Sequence, residues 1–271
     1  MFVVLGNDSL GGNRSGILLG LYGKTGSKTG NMGGLRLGRR RLLLHMGALF
    51  MAVNAGLGAL AQPARAQTPQ AVTPVKDGPI KIVAFGDSLT AGYLLAPQEA
   101  FPVVLGKALA KRGYNVQMIN AGVSGDTTAG GRERLAWAVP PDADAVILEL
   151  GANDALRGLD PAAAKANLQA IIETIRAQKT DILVAGMIAP RSMGENYTKP
   201  FDAIFPALAA KYGLPLYPFF LEATGLRPEL SLADGLHPNA KGVDAIVAAI
   251  LPKVEELIGR VKARRAGVGR G

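Results

Sequence analysis

The chain has 271 residues, 48% of them hydrophobic and 19% charged, the make-up of a soluble protein with enough apolar content to bury a core unaided. It contains no cysteine, which excludes disulfides, thiolate catalysis and cysteine-bound zinc. A formal charge of +9 would indicate nucleic acid or an anionic membrane only if the cations lay on the folded body, and they lie at the ends. Eight Lys and Arg precede Gln67 against one acid, Asp8, leaving 22 basic and 20 acidic residues for the rest. Five of those 22 (Arg260, Lys262, Arg264, Arg265 and Arg270) fall in the last turn of the final helix and the tail, read as a frayed, solvated terminus. Nucleic-acid binding is therefore rejected.

Residues 1–35 are rich in Gly, Ser, Thr and Asn without periodicity, and Met32 is an alternative start. A basic cluster (Arg36, Arg39, Arg40, Arg41) then precedes an apolar stretch over 42–60 and two small-x-small sites, Ala59-Leu60-Ala61 and Ala64-Arg65-Ala66. That is the order of a secretory signal peptide. A retained membrane anchor is the competing reading, because the stretch approaches the roughly 20 residues a span needs, although His45 and Asn54 interrupt it. The triple arginine has poor flanks for twin-arginine export. The domain plan is thus an extension and signal peptide over 1–66, a linker over 67–78, the folded domain over 79–262 and a basic tail over 263–271. A periplasmic or secreted, monomeric protein with no integral membrane domain after cleavage is expected.

Short apolar runs then alternate with longer amphipathic segments, the pattern of a parallel sheet with crossover helices. Strands are expected over 80–85, 116–119, 145–150, 182–187 and 216–217. Helices are expected over 98–112, 129–138, 161–178, 201–212 and 240–261, with Pro161 at a first helical position. The fold class is α/β: one three-layer α/β/α sandwich on a five-stranded parallel, flavodoxin-like sheet. In such sheets ligands bind beyond the carboxyl ends of the strands, so the loops starting at Gly86, Ala121, Gly151 and Pro190 should share one rim.

The first of these loops reads Gly86-Asp87-Ser88-Leu89-Thr90-Ala91-Gly92. A serine directly after a strand sits among backbone amides that can stabilise developing negative charge, as a nucleophile requires. Taken alone, Asp87 or Ser88 would serve equally as a helix cap. Of the two histidines, His45 lies in the export segment, leaving His237 in Ala233-Asp234-Gly235-Leu236-His237-Pro238-Asn239. Asp234, three residues upstream, can hold one imidazole nitrogen while the other reaches the serine. A lone histidine is more often structural, but this loop of Asp, Gly and Pro is not core-like. Oxyanion donors are offered by the Gly122 amide after the second strand and the Asn153 side chain after the third, although each segment alone reads as a turn or a cap.

These four segments resemble, in order, the four sequence blocks of the SGNH/GDSL hydrolase superfamily, and the match spans nearly all of 79–262. The resemblance implies Ser88, Asp234 and His237 as catalytic triad and an oxyanion hole of the Ser88 and Gly122 amides with the Asn153 side chain. The strings NAGVSGDT (120–127), ELGANDALRG (149–158), YPFFLE (217–222) and DGLHPN (234–239) are similar to the periplasmic multifunctional acyl-CoA thioesterase, lysophospholipase and arylesterase group. That similarity implies a mobile loop over the acyl site at 155–160, and Ala152 departs from the glycine some members carry there. The implied reaction is hydrolysis of small or single-chain acyl esters and thioesters, with no metal and no cofactor. Leu156, Leu159, Met187, Ile188 and Phe219 could line an acyl groove but read mainly as core. Carbohydrate O-deacetylation and an inactive acyl- or glycan-binding module remain the alternatives, which a substrate panel separates.

Overall fold

Strand β1 (Ile80–Gly86) is buried throughout except at Lys81, and β3 (Ala145–Glu149) and β4 (Asp181–Ala185) are buried at every position. Near-continuous burial marks strands covered on both faces, as in a parallel sheet between helix layers. The computed structural model describes residues 78–225 and 227–267. The signal-peptide and linker segments, and the end of the tail, lie outside them.

The sheet order is β2-β1-β3-β4-β5, all parallel, with β2 (Val116–Gly122) and the short β5 (Leu216–Tyr217) at the edges. This is the expected flavodoxin-like sandwich. Register explains the shared rim: Gly86 pairs with Gly122 on one side and with Glu149 on the other, so three strands end level. The order reverses direction between β1 and β3, which opens the crevice where such sheets place ligands.

Helices α2 (Phe101–Lys111) and α8 (Ala240–Arg265) pack together, as do α3 (Thr128–Ala138) and α5 (Pro161–Ala177). In α8, Val243, Ile246, Val247, Ile250, Val254, Leu257, Ile258 and Val261 are buried at three- and four-residue spacing, which turns one stripe onto the sheet. The four-residue α1 (Ser88–Ala91) and the five-residue α4 (Ala152–Leu156) were foreseen only as alternative capped starts and α6 (Glu195–Asp202) was not foreseen, while the helix expected over 201–212 is α7, Ile204–Tyr212, because Phe201 belongs to the end of α6. Two of the three are single turns, too short for a periodic pattern to register.

The frayed-tail expectation is corrected at Arg264 and Arg265. Helix α8 carries three residues past 262, and its last turn closes the foot of the sheet. Arg265 grips the buried Asp144 through Nε (3.2 Å) and Nη2 (2.6 Å) and donates to the carbonyls of Gly78 and Pro79 (3.1 Å each). Arg264 Nε donates to the equally buried Asp181 (3.0 Å). The two-pronged pairing with Arg265 lets Asp144 stay dry, and the charged bond from Arg264 does the same for Asp181.

Candidate active site

The serine is set by a close approach of three elements. Strand β1 ends at Gly86, where an added Cβ would lie 2.1 Å from Thr90 Oγ1 and 2.5 Å from Glu149 Oε2, so only glycine passes. Asp87 caps α1 by accepting the Leu89 N–H at 3.0 Å, and Gly92 ends that turn at φ 85°. Ser88 is 8% exposed. Below it, the fully buried Glu149 accepts the Thr90 hydroxyl (2.6 Å) and the Asp87 N–H (3.4 Å), while its Oε1 has no partner among the described residues. Burial, then the Asp87 charge, holds this carboxyl well above the ordinary range. Asp87 itself is pushed up to about 6 by burial, against the Leu89 and Asn153 hydrogen bonds that favour its charge.

His237 arrives on a loop folded back on itself. Ser231 and Pro238 form an antiparallel bridge, Leu232 N–H donates to the His237 carbonyl (2.7 Å), and Asn239 caps α8 through the Gly242 N–H (3.0 Å). Its Nε2 lies 2.8 Å from Ser88 Oγ and its Nδ1 2.6 Å from Asp234 Oδ2. Asp234 Oδ1 accepts the N–H groups of His237 (3.0 Å) and Leu236 (2.9 Å). Chiefly through the His237 backbone bond, these contacts hold the Asp234 carboxyl down at about 2. The Tyr93 ring lies against the imidazole, centroids 4.5 Å apart. Ser88, Asp234 and His237 are therefore brought together as the sequence suggested.

The two loop donors fare differently. Asn153 lies in α4 after Gly151 (φ 120°), and its Nδ2 donates to Asp87 Oδ2 at 3.1 Å, which leaves the second amide hydrogen uncommitted. Gly122 is not placed as a donor: its N–H is used by Asn120 Oδ1 (3.0 Å), and it does not line the cavity above Ser88. Its lack of a side chain serves packing, since a Cβ would lie 2.3 Å from Ala91 N and 2.9 Å from the Asp87 carbonyl. Three residues on, Gly125 (φ 82°) does line the cavity. No acceptor for its N–H, or for that of Ser88, is found among the described residues. The string Asn120 to Thr127 holds two glycines, and nothing in its spelling says which one the turn aims at the serine.

The cavity, of about 460 Å³, runs from Ser88, Asn153 and His237 across a largely apolar wall. Leu156, Met187, Ile188 and Phe219 line it, which corrects the core reading for Leu156 and Ile188 and adds a wall role to the buried Met187 and to Phe219, whereas Leu159 is not part of the lining. Leu156 and Ile188 are 52% and 43% exposed at its mouth. Behind the wall, Asp154 is buried against the N-terminus of α3, accepting the Thr128 N–H (2.8 Å) and hydroxyl (2.6 Å). Tyr197 donates to the Leu159 carbonyl (2.8 Å). Arg134, also buried, ties two strand ends through the carbonyls of Gly86 and Ala121 (2.8 Å each) and pairs with Asp126 (2.6 Å).

Comparison with known proteins places the chain in a family. Residues 84–245 match the model of the GDSL-like Lipase/Acylhydrolase family. The chain is 33% identical to Esterase TesA of Pseudomonas aeruginosa over 214 residues, 79% of this chain and 100% of that protein. It is 38% identical to an arylesterase of Vibrio mimicus over 160 residues, 59% and 80% of the two chains. Among solved structures, the SGNH-hydrolase family esterase AlinE4 superposes with a TM-score of 0.56 at 48% identity, covering 66% of this chain and 96% of that one. The matched span contains the serine, asparagine and histidine blocks and all of the sheet but the start of β1, and the chain belongs to the GDSL-like lipase/acylhydrolase family.

Proposed function

We propose that the chain hydrolyses carboxylic esters and thioesters through an acyl-enzyme on Ser88. The observation that carries this reading is the continuous relay from Asp234 through His237 to a partly buried serine, with contacts of 2.6 and 2.8 Å, opening onto an apolar cavity. Asp234 fixes the tautomer with the proton on Nδ1, leaving Nε2 to take the Ser88 proton as Oγ attacks the carbonyl carbon. The tetrahedral oxyanion is met by the N–H groups of Ser88 and Gly125 and the free amide hydrogen of Asn153. Collapse breaks the bond to the leaving oxygen or sulfur, which takes the proton from His237. Water then attacks the acyl-enzyme, giving its proton to Nε2, and the acid leaves as Ser88 recovers its hydrogen.

The size and apolar lining of the cavity suit a small or single acyl chain rather than a sugar, which would need more polar partners. The names of the relatives, esterase, arylesterase and "Thioesterase 1/protease 1/lysophospholipase L1" of Escherichia coli, support the same class. Among the described residues no helix is long and apolar enough to cross a membrane, and export with removal of residues 1–66 is part of this reading. The test is turnover of p-nitrophenyl esters of graded chain length, acyl-CoA, lysophospholipid and O-acetylated sugars by the protein and by Ser88→Ala. Loss of all turnover in the variant supports the reading. Turnover restricted to O-acetyl sugars, or none by folded protein, counts against it. N-terminal sequencing from a native host tests export, and a start at Met46 or earlier contradicts cleavage.

A further inference from the structure

We propose that Arg157 is a positioning residue that holds the two loop donors of the oxyanion hole, Gly125 and Asn153, in register with each other. This rests on the reading of the site given above. Arg157 follows directly on α4, and its backbone N–H donates to the Asn153 carbonyl at 3.1 Å, closing the turn that carries the asparagine. Its guanidinium reaches across to the other loop, where Nη2 donates to the Gly125 carbonyl at 2.7 Å. One residue thus bonds to the main chain of both donors. The side chain is solvent-exposed and forms no ion pair among the described residues, so neither core packing nor charge pairing accounts for where it points.

The turn it grips has two ways to fold. Asp126 N–H donates to the Val123 carbonyl (3.1 Å), so Ser124 and Gly125 are the central residues of a four-residue turn. Gly125 at φ 82° is in the type II form; in the type I form the same residue has φ of about −90° and the peptide joining it to Ser124 is turned over. That peptide carries the Gly125 N–H. A flip would aim the donor away from the serine, and glycine, having no Cβ, resists the flip little. Bonding of Arg157 to the Gly125 carbonyl, on the next peptide, anchors the turn in the form that presents the N–H. Because the same residue closes α4, a shift of the 155–160 loop would disturb both donors together.

The experiment is steady-state hydrolysis of p-nitrophenyl butyrate by Arg157→Ala and Arg157→Lys, with Asn153→Ala in parallel and melting curves for all. Losing one donor outright typically costs about 10²- to 10³-fold, so loosening one without deleting it should lower kcat of Arg157→Ala roughly 10- to 100-fold. KM should stay within about twofold, the signature of an interaction made in the transition state only. Arg157→Lys, which keeps a donor, should fall between alanine and wild type. A kcat within about twofold of wild type overturns the proposal, as does a loss carried by KM, a lysine variant no better than alanine, or a melting point lowered by more than about 5 °C. If Asn153→Ala also retains full kcat, the oxyanion-hole reading fails with it; if Asn153→Ala is crippled and Arg157→Ala is not, only the role of Arg157 falls.

Discussion

Replacing Asp234 with asparagine isolates one function of the relay with little change in shape. The asparagine carbonyl can still accept the Leu236 and His237 N–H groups that now bond to Oδ1, so the loop should keep its fold. Its amide, however, would face His237 Nδ1 at the 2.6 Å contact where a carboxylate oxygen now accepts. Two donors cannot share that contact, so the imidazole would move its proton to Nε2 and present a donor to Ser88 Oγ in place of an acceptor. The general base is then lost in most molecules. In a triad of this kind the tautomer error costs about 10⁴-fold in kcat, or roughly 5.5 kcal/mol of transition-state stabilisation at 1.36 kcal/mol per tenfold. The assay is kcat for a short p-nitrophenyl ester beside the melting point, which should move by no more than about 3 °C for a change well under 1.5 kcal/mol. Asp234→Ala removes the two backbone acceptors as well, and should lose both activity and about 1 to 2 kcal/mol of stability. A kcat for Asp234→Asn within tenfold of wild type would refute the tautomer argument.

The two glycines of the second loop should separate. Gly122→Ala drives a Cβ into the backbone of Ala91 and Asp87 at 2.3 to 2.9 Å and is expected to lower both melting point and kcat, whereas Gly125→Ala has room beyond a 3.7 Å contact but puts a side chain at φ 82°, a strain of about 1 to 2 kcal/mol that favours the flipped turn, so its kcat should fall far more than its modest loss of stability explains. Equal melting points for wild type and Gly122→Ala would contradict this. The buried carboxyls beneath the serine give a pH signature: Asp87, at about 6, keeps a proton between about pH 4 and 6 that the unfolded chain has released, so its stabilisation is present at low pH and is lost as pH rises through 6. Urea unfolding over that range should show stability falling with pH for wild type, with a flatter profile for Asp87→Asn. At the foot of the sheet, Arg265→Ala leaves Asp144 buried beside a distant Arg264 (3.9 Å), and a loss of about 3 kcal/mol, or roughly 6 to 12 °C in Tm, is expected from thermal melts.

Much of this was legible in the sequence for physical reasons. Short apolar runs such as Ala145 to Leu148, rich in β-branched residues, read as strands covered on both faces, and their alternation with amphipathic segments points to the sandwich. The juxtaposition of Ser88, Asp234 and His237 was legible because a serine follows a strand directly and an acid and the imidazole sit three residues apart in one loop. Contacts between loops were not. Which glycine of 122 and 125 faces the cavity depends on the turn between them, and the Asp87 bond to Asn153 spans 66 residues. The charge at Arg264 and Arg265 was misjudged because their partners, Asp181 and Asp144, are 83 and 121 residues away and are buried only once the sheet forms.

The central claim is that Ser88 is the nucleophile activated by this relay. Its most direct test is labelling with an irreversible serine-directed phosphonate, followed by intact mass and peptide mapping of wild type, Ser88→Ala and Asp234→Asn. One adduct per chain on Ser88 is expected, with none in Ser88→Ala and strongly slowed labelling in Asp234→Asn. An adduct on another residue, or labelling of Ser88→Ala at the wild-type rate, would contradict that claim.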